Sequence, residues 1–243
     1  MIQSVNNEYI KSLTKLKQKK YREETKQFLV EGEHLVFEAI KNGYAKEVFC
    51  LDESKIPTST CKLTLVSKPV LEKLTFSKTP QSMVALCEMK QQSIDFTTAK
   101  RIFILDGVQD PGNIGTIIRT SLAFGFDGVI LSEDSVDLYN DKLLRSCQGA
   151  NFYLPIMQKS VLETVTELQN NHFKVYATSL RNAKNIEEIE DFEKMAFVLG
   201  NEGNGVKDTT IDACDGSIYI PISKAESLNV AIAGGIVAFN FRS

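Results

Sequence analysis

The sequence predicts an α/β protein in two parts, a small N-terminal α/β unit followed by a larger unit on a mostly parallel sheet. Strand-like and helix-like segments alternate through all 243 residues, which is the pattern of α/β architecture. In the second half, runs such as 102–105 and 196–199 are continuously apolar, as parallel strands buried on both faces are. The stretch from Lys90 to Lys100 is polar and lacks periodicity, so we expect domains at 1–92 and 100–243.

The N-terminal unit begins with a short basic helix, predicted over residues 8–20. An amphipathic helix follows from His34 to Asn42 and ends before Gly43, because a glycine after the last apolar-periodic residue is a helix-stop signal. The remaining predicted elements of this unit are strands at 28–32, 48–51, 63–66 and 83–89, and a helix at 68–74.

In the second unit the same reasoning predicts strands at 102–105, 128–131, 173–177, 195–199 and 217–221, and helices at 113–125, 140–147, 160–171 and 227–241. The last helix contains Gly234 and Gly235. Each mid-helix glycine costs roughly 1 kcal/mol relative to alanine. We therefore expect a close approach of this helix to another one, within the chain or across a dimer.

Composition limits the class of protein. With 43% hydrophobic and 24% charged residues, the chain has the make-up of a soluble globular protein. No apolar run approaches the roughly 20 residues that span a bilayer, and residues 1–7 lack the apolar core of an export signal, so we expect a cytoplasmic protein without a membrane segment. Five scattered cysteines without a Cys-x-x-Cys pair, and two isolated histidines, predict neither a metal site nor a disulfide framework.

Charge is unevenly distributed, although the net charge is only −3. Residues 1–30 hold seven Lys or Arg against three Glu, so a basic N-terminal segment precedes an acidic body. Such a segment can follow the phosphates of a nucleic acid, or it can simply be a solvated helix face. Composition alone leaves both interpretations open.

The most informative stretch runs from Leu105 to Thr120. An apolar strand enters a loop with Gly and Pro, and a helix follows. On a helical wheel Asn113, Thr116 and Arg119 fall within about 120°, while the opposite side is apolar, with Ile114, Ile117, Ile118 and Leu122. A strand, a glycine loop and a helix that presents Asn and Arg near its start predict a site for an anionic or polar ligand.

A second glycine-rich segment follows another predicted strand, from Val198 to Val206. Its glycines are spaced Gly-x-x-Gly-x-Gly, so it is not a dinucleotide-binding fingerprint. Glu202 lies between two of these glycines. A carboxylate in such a loop is well placed to meet a cationic partner, for example Arg119.

The third segment, from Ile220 to Ala231, leads into the last predicted helix. Ser227 is predicted to cap the helix near Leu228. Asn229 projects in a different direction, so Ser227 and Asn229 together can line a polar pocket. Loops at the carboxyl ends of strands in an open α/β sheet gather around one ligand crevice, which predicts a single site for all three segments.

In this order and spacing the three segments resemble the motifs of the SpoU (TrmH) family of RNA ribose 2′-O-methyltransferases, within the SPOUT superfamily. The resemblance covers about residues 100–243 and implies a SPOUT-type, mostly parallel sheet with a C-terminal trefoil knot. The N-terminal unit resembles the L30e-like substrate-binding domain of many members. The segment from Arg145 to Pro155 is similar to one in rRNA-directed members, so rRNA is favoured over tRNA.

The resemblance also implies roles for individual residues. The cofactor would be S-adenosylmethionine, held by backbone groups at Gly200, Ile220 and Leu228. Family members are typically homodimers with the active site near the interface. The residues that match the family's catalytic positions are Asn113, Arg119, Glu202, Ser227 and Asn229.

Small departures from the family pattern concern Ser223, Lys224 and the pair Cys147–Gln148, and they bear on the substrate rather than the chemistry. Two alternatives remain. The first is a non-catalytic RNA-binding or ribosome-assembly protein with the same fold, against which the five matching residues argue. The second is a nucleotide-dependent oxidoreductase, which the lack of a GxGxxG after a first strand disfavours.

Overall fold

The computed structural model describes residues 1–56, 61–77 and 81–242. Contacts divide the chain into two units, residues 1–91 with 137–153, and residues 92–136 with 154–243. The polar stretch before residue 100 is not a free linker along its whole length, because Ile94, Phe96 and Ala99 are buried in the core of the second unit. Among the described residues, no helix combines the length and apolarity that a membrane crossing requires.

The first unit contains a four-stranded sheet in the order β1–β4–β2–β3. β4 is antiparallel to β1 and β2, and β3 is parallel to β2. The strands are β1 (Gln27–Glu31), β2 (Ala45–Cys50), β3 (Lys62–Leu65) and β4 (Met83–Glu88). In the described part of this unit, the α-helices that precede β5 are α1 (Glu8–Lys15), α2 (Lys19–Thr25), α3 (Glu33–Lys41) and α4 (Lys68–Leu74).

The single basic helix expected over 8–20 is wrong, because the chain forms two helices there. The backbone of Gln18 is extended, with φ −103° and ψ 136°, and this separates α1 from α2. Asn7 caps α1 by accepting hydrogen bonds from the amides of Tyr9 and Ile10. α1 then buries Ile10 and Leu13 against the sheet.

The second unit holds seven parallel strands in the order β7–β6–β5–β10–β8–β11–β9. The strands are β5 (Arg101–Asp106), β6 (Gly128–Leu131), β7 (Ile156–Gln158), β8 (Lys174–Thr178), β9 (Ala183–Asn185), β10 (Met195–Gly200) and β11 (Gly216–Tyr219). The helices that follow α4 in the chain are α5 (Pro111–Ala123), α6 (Asp141–Cys147, in the first unit), α7 (Val161–Asn170), α8 (Asp208–Ala213) and α9 (Val230–Asn240).

Four of these elements, α2, α8, β7 and β9, were not predicted. They are three to seven residues long, which is too short for a period of 2 or 3.6 to emerge. β7 and β9 form the two edges of the large sheet. The central strands, whose apolar runs are longest, agree with the prediction.

The glycine pair in α9 has two different environments. A Cβ on Gly234 would lie 2.9 Å from Leu199 Cδ1 and 3.4 Å from Ile117 Cγ1, so α9 approaches β10 and α5 closely at this residue. Nothing lies within 4 Å of the corresponding position on Gly235. The close approach is thus made within the chain at Gly234, while Gly235 faces open space.

Candidate active site

The loop after β5 is shaped to start a helix. Asp110 accepts a hydrogen bond from the amide of Asn113 at 3.0 Å, and Pro111 occupies the first turn of α5. A proline suits this position, because its fixed φ is pre-organised for a helix and the N–H that it lacks would be unpaired there. Asp110 was not predicted, although an Asp before Pro-Gly is a recognisable helix-start signal. This cap fixes the position of Asn113 in the first turn.

The loop after β10 folds back on itself. Asn201 and Gly205 exchange backbone hydrogen bonds of 3.0 and 2.9 Å, and Asn201 Oδ1 accepts from the amides of Gly203 and Asn204. A Cβ on Gly200 would lie only 2.0 Å from the backbone of Gly205, so this turn requires glycine. The result is a closed loop, residues 201–205, that carries Glu202.

Glu202 bonds to the loop after β5. Its Oε1 accepts from Asn113 Nδ2 at 2.9 Å and from the amide of Asp110 at 3.2 Å, and its Oε2 accepts from the amide of Gln109 at 3.3 Å. Arg119, suggested above as an example of a cationic partner, does not bond to Glu202 among the described residues. The carboxylate takes uncharged donors at the start of α5, where the helix dipole also favours a negative charge.

These hydrogen bonds affect the ionisation of Glu202. Partial burial is the largest influence and opposes ionisation, but the donors at Asn113, Asp110 and Gln109 together outweigh it. The pKa of Glu202 consequently lies below its ordinary value of 4.5. Glu202 is an anion at neutral pH, and it acts as a hydrogen-bond acceptor that orients Asn113.

The third segment joins the same network through Asn229. Asn229 Nδ2 donates to Asn113 Oδ1 at 3.0 Å, and Asn229 Oδ1 accepts from the amides of Ala231 and Ile232 at the start of α9. The cap of this helix is thus Asn229, and the prediction that Ser227 caps it is wrong. Three loops distant in sequence are connected by one chain of side chains, Asn229 to Asn113 to Glu202.

A cleft of about 880 Å³ opens beside this network. The three residues predicted to hold the cofactor, Gly200, Ile220 and Leu228, all line it, and so do Glu202, Ser227 and Asn229. The rest of the lining mixes apolar and hydroxyl side chains, namely Thr178, Ser179, Leu180, Leu199, Ile218 and Ile222, among others. This volume lies in the range of sites that hold a small organic ligand.

Arg119 stands apart from the network. It lies six residues after Asn113 on α5, about 9 Å further along the helix axis. Its side chain is exposed, and within the described ranges no hydrogen bond or ion pair engages it.

On the same helix Leu122 was expected on the apolar side, but it is 39% exposed. Within the described part of the chain, no group of three or more His, Cys, Asp or Glu could hold a metal ion.

Comparison with known proteins decides the family. Residues 100–239 match the SpoU rRNA Methylase family, and this match includes all three loops. The chain is also 39% identical, over 99% of its length and 98% of the relative, to the 23S rRNA (guanosine(2553)-2′-O)-methyltransferase RlmP of Bacillus subtilis. The chain belongs to the SpoU rRNA methylase family.

Solved structures of SpoU proteins agree with the fold. The AdoMet-bound rRNA methyltransferase of Sinorhizobium meliloti is 29% identical, with a TM-score of 0.87 over 98% of this chain and 95% of that one. The SpoU methyltransferase AviRb of Streptomyces viridochromogenes, 22% identical, has the same fold with a TM-score of 0.85. The predicted α/β methyltransferase fold with a parallel sheet and a separate N-terminal domain is confirmed, and the trefoil knot stays a prediction.

The N-terminal unit has its own match. Residues 7–85 match the MRM3-like substrate binding domain, which confirms the predicted type of N-terminal domain. The assignment of roles to individual SpoU residues stays a prediction. What the geometry adds is that Asn113, Glu202 and Asn229 form one bonded group, that Ser227 lines the adjoining cleft, and that Arg119 is a separate, exposed cation.

Proposed function

We propose that this protein transfers a methyl group from S-adenosylmethionine to a ribose 2′-hydroxyl of ribosomal RNA. The observation that carries the proposal is the hydrogen-bonded chain Asn229–Asn113–Glu202, which joins three loops at the rim of one ligand-sized cleft. A network of this kind fixes polar atoms in place, which is what an enzyme needs in order to position an acceptor.

The cleft fits the proposed cofactor. Leu199, Ile218 and Leu228 would supply apolar surface to this cofactor, and Ser227 and the backbone of the adjoining loops would supply hydrogen-bonding groups. The carboxylate of Glu202 borders the same cleft and adds a negative charge that suits a sulfonium. When bound, S-adenosylmethionine supplies an activated methyl group, so the protein's own task is to prepare the hydroxyl.

Arg119 is the residue we assign to that hydroxyl. A guanidinium stays protonated in proteins, so Arg119 is a poor general base. It can instead donate hydrogen bonds to the ribose oxygen as negative charge develops, and to a neighbouring phosphate, in the manner of an oxyanion site. The absence of a protein partner among the described residues leaves its donors available for substrate.

The side chains of the network hold one another in fixed orientations. Glu202 accepts from Asn113, and Asn113 accepts from Asn229, so the two amides are held in single orientations. We propose that these amides and Ser227 direct the ribose toward the cleft. The hydroxyl proton then passes to a phosphate or to water.

The proposed RNA target is taken from the relatives. The Bacillus subtilis relative is named for guanosine 2553 of 23S rRNA, and the present chain aligns with it over nearly its whole length. We propose a nucleotide of 23S rRNA as the substrate, with that guanosine the first to examine. The N-terminal unit would hold the RNA, and a cytoplasmic location fits this substrate.

Fewer cations of the basic N-terminal segment can contact RNA than its composition implies. Arg22 is buried and ion-paired to Asp137, and Lys17 donates to the carbonyl of Thr75. The remaining lysines of the segment are exposed and we propose that they contact phosphates; they are Lys11, Lys15, Lys19, Lys20 and Lys26.

A homodimer is the proposed assembly. Along α9 the exposed residues Ile232, Ile236 and Phe239 recur at helical spacing, and Gly235, half-buried and with open space beside its Cα, lies between them. Leu122 on α5, which packs against α9, is exposed as well. Apolar side chains contiguous on a helix face indicate a protein–protein contact, and a second copy of this chain is the partner we propose.

One experiment tests the function directly. Ribose 2′-O-methylation is mapped across total RNA from cells with and without this protein, and the purified protein is then given S-adenosylmethionine and unmodified 23S rRNA. We expect one position to lose methylation in cells and to regain it in the purified reaction. Binding of RNA without any methylation, together with no S-adenosylmethionine binding in a calorimeter, would favour the non-catalytic alternative.

A further inference from the structure

The last residue of β5, Asp106, is a buried carboxylate at the carboxyl ends of the central strands, from which the site loops leave. Its side chain is fully buried, and it pairs across the sheet with Gly200, the residue before the loop that carries Glu202. A carboxylate in such a place requires compensating partners, because burial of an unpaired charge is costly. The identity of those partners indicates what Asp106 does.

Among the described residues, the side-chain partners of Asp106 are Lys207 and Thr210, on the segment that follows the Glu202 loop. Asp106 Oδ2 accepts from Thr210 Oγ1 at 2.8 Å and from the amide of Lys207 at 3.2 Å, and Lys207 Nζ lies 3.2 Å from Asp106 Oδ1. Thr210 is itself buried. Asp106 therefore fastens the start of α8 to the end of β5.

Lys207 extends this attachment to the loop after β5. Its Nζ lies 2.8 Å from Asp134 Oδ2, and the carbonyl of Asp134 accepts from Gln109 Nε2 at 2.6 Å. The amide of Gln109 is one of the donors to Glu202. The same group of residues thus contacts both loops that meet at the Asn113–Glu202 hydrogen bond.

The closed loop 201–205 connects Glu202 to Lys207, so the position of Lys207 affects that of Glu202. The loop is bonded to itself between Asn201 and Gly205 and is tied to Gly107 by a 2.9 Å hydrogen bond from Asn201 Nδ2. One end is anchored in β10 at Gly200, and the other reaches Lys207 two residues after Gly205. Where Lys207 is held, the rigid loop and its carboxylate are held too.

We infer that Asp106, through Lys207 and Thr210, is a positioning residue that sets Glu202 against Asn113 for methyl transfer. This inference rests on the proposed function. Asp106 does not itself line the cleft, and its side-chain hydrogen bonds go to Lys207 and Thr210 rather than to Asn113, so its effect on the reaction passes through Glu202. The pKa of Lys207 is raised by its hydrogen bond to Asp134 and by Asp106, so the ammonium that holds this arrangement keeps its charge at neutral pH.

The test compares Asp106→Asn with a matched control, Asp215→Asn. Asp215 is also an ion-paired acceptor of a backbone amide, with Lys174 and Val175 as partners, but it precedes β11 at the opposite ends of the parallel strands. We expect Asp106→Asn to lower kcat by about 10- to 100-fold, as displacement of a catalytic group does. The control should change kcat by less than about twofold at a similar loss of Tm.

A double-mutant cycle separates positioning from a general loss of structure. If Asp106 acts through Glu202, then Asp106→Asn should reduce kcat by less than about twofold in a Glu202→Gln background. Equal effects in both backgrounds would overturn the inference. Lys207→Met, at a half-exposed position, provides the same comparison if Asp106→Asn does not fold.

A readout without catalysis keeps this inference separate from the proposed function. Hydrogen–deuterium exchange in the loop 201–205 should quicken in Asp106→Asn and stay unchanged in Asp215→Asn. Unchanged exchange in both variants would overturn the positioning role even if the wild type methylates RNA. A wild type that transfers no methyl group would instead overturn the proposed function, whatever the exchange result.

Discussion

Asn229 Nδ2 and Asn113 Oδ1 are joined by a 3.0 Å hydrogen bond across 116 residues of sequence. Asn229 uses its other side-chain atom, Oδ1, to cap α9. One side chain therefore starts a helix and orients the amide of Asn113. These two tasks can be separated, because a cap requires only an acceptor while Asn113 requires a donor.

Asn229→Asp separates them. Aspartate caps a helix as well as asparagine does, so the Tm should change little, but its carboxylate cannot donate to Asn113 Oδ1. We expect kcat to fall by about 10- to 100-fold because the Asn113 amide loses its fixed orientation. Asn229→Ala should lose the cap as well, at about 1 kcal/mol in the free energy of unfolding. Thermal unfolding and single-turnover methylation measure the two effects, and full activity of Asn229→Asp would contradict the role of this hydrogen bond.

Arg119→Ala should bind S-adenosylmethionine normally and transfer almost no methyl group. The side chain lies outside the cleft lining, so cofactor affinity should not depend on it, while the hydroxyl loses its donor. Arg119→Lys retains the charge but not the planar fork, so its activity tells whether geometry matters beyond charge. Calorimetry and methyl-transfer rates are the measurements, and near-normal turnover in Arg119→Ala would remove Arg119 from the mechanism.

Glu202 predicts a pH dependence of stability. Its pKa is lowered in the folded protein, so its hydrogen bonds stabilise the fold above the ordinary pKa of 4.5, and this contribution disappears as the pH falls through the lower folded value. Asn113→Ala removes one donor to Glu202, so the pKa of Glu202 should be lowered less in this variant. The stability difference between wild type and Asn113→Ala in urea should therefore shrink as the pH drops below 4.5. A difference that is constant or that grows in acid would show that Glu202 does not depend on Asn113 for its ionisation.

The sequence predicted which loops form the site better than it predicted which atoms in them bond to each other. The loops containing Asn113, Glu202 and Asn229 were expected to converge because each follows a strand of a parallel sheet, and they do converge. The α5 side chain that bonds to Glu202 is Asn113 and not Arg119, the example that the sequence suggested, because helical position alone does not say which donor of α5 lies nearest to a carboxylate from another loop. Backbone donors such as the amides of Gln109 and Asp110 carry no sequence signature, so they were not predicted.

The fold shows the same division between local pattern and long-range contact. Central strands were predicted because their apolar runs are continuous, whereas α8 was missed because its six residues show no period. Arg22 looked like one cation in a basic run, yet it is buried because Asp137, more than a hundred residues away, supplies its partner. Pairings of this kind depend on the tertiary structure and leave no trace in local composition.

The two kinds of cation in the N-terminal segment should behave differently on substitution. Exposed lysines, for example Lys15, Lys19 and Lys26, should contact phosphates. Replacing all three by alanine should therefore make RNA affinity less dependent on salt, with the slope reduced by about 0.7 for each phosphate that is no longer neutralised, the value for single strands. An unchanged slope would exclude them from the RNA interface.

Arg22→Met serves as the contrasting variant. It should leave the salt dependence unchanged and instead lower the free energy of unfolding by about 3 kcal/mol, because it leaves Asp137 without its buried partner. Filter binding at several salt concentrations and urea unfolding measure the two effects. A lower salt slope for Arg22→Met, without loss of stability, would mean that Arg22 reaches RNA after all.

The apolar face of α9 makes a last prediction, about assembly. Ile232, Ile236 and Phe239 are 56%, 38% and 58% exposed, and a second copy of the chain would cover them. Light scattering should give the wild type twice the 27.1 kDa chain mass. Ile236→Asp should give a monomer, because a dimer would have to bury the new carboxylate in an apolar contact. Leu162→Asp, at an exposed leucine of α7, is the matched control and should remain dimeric. A monomeric wild type, or dissociation of both variants, would contradict an interface on α9.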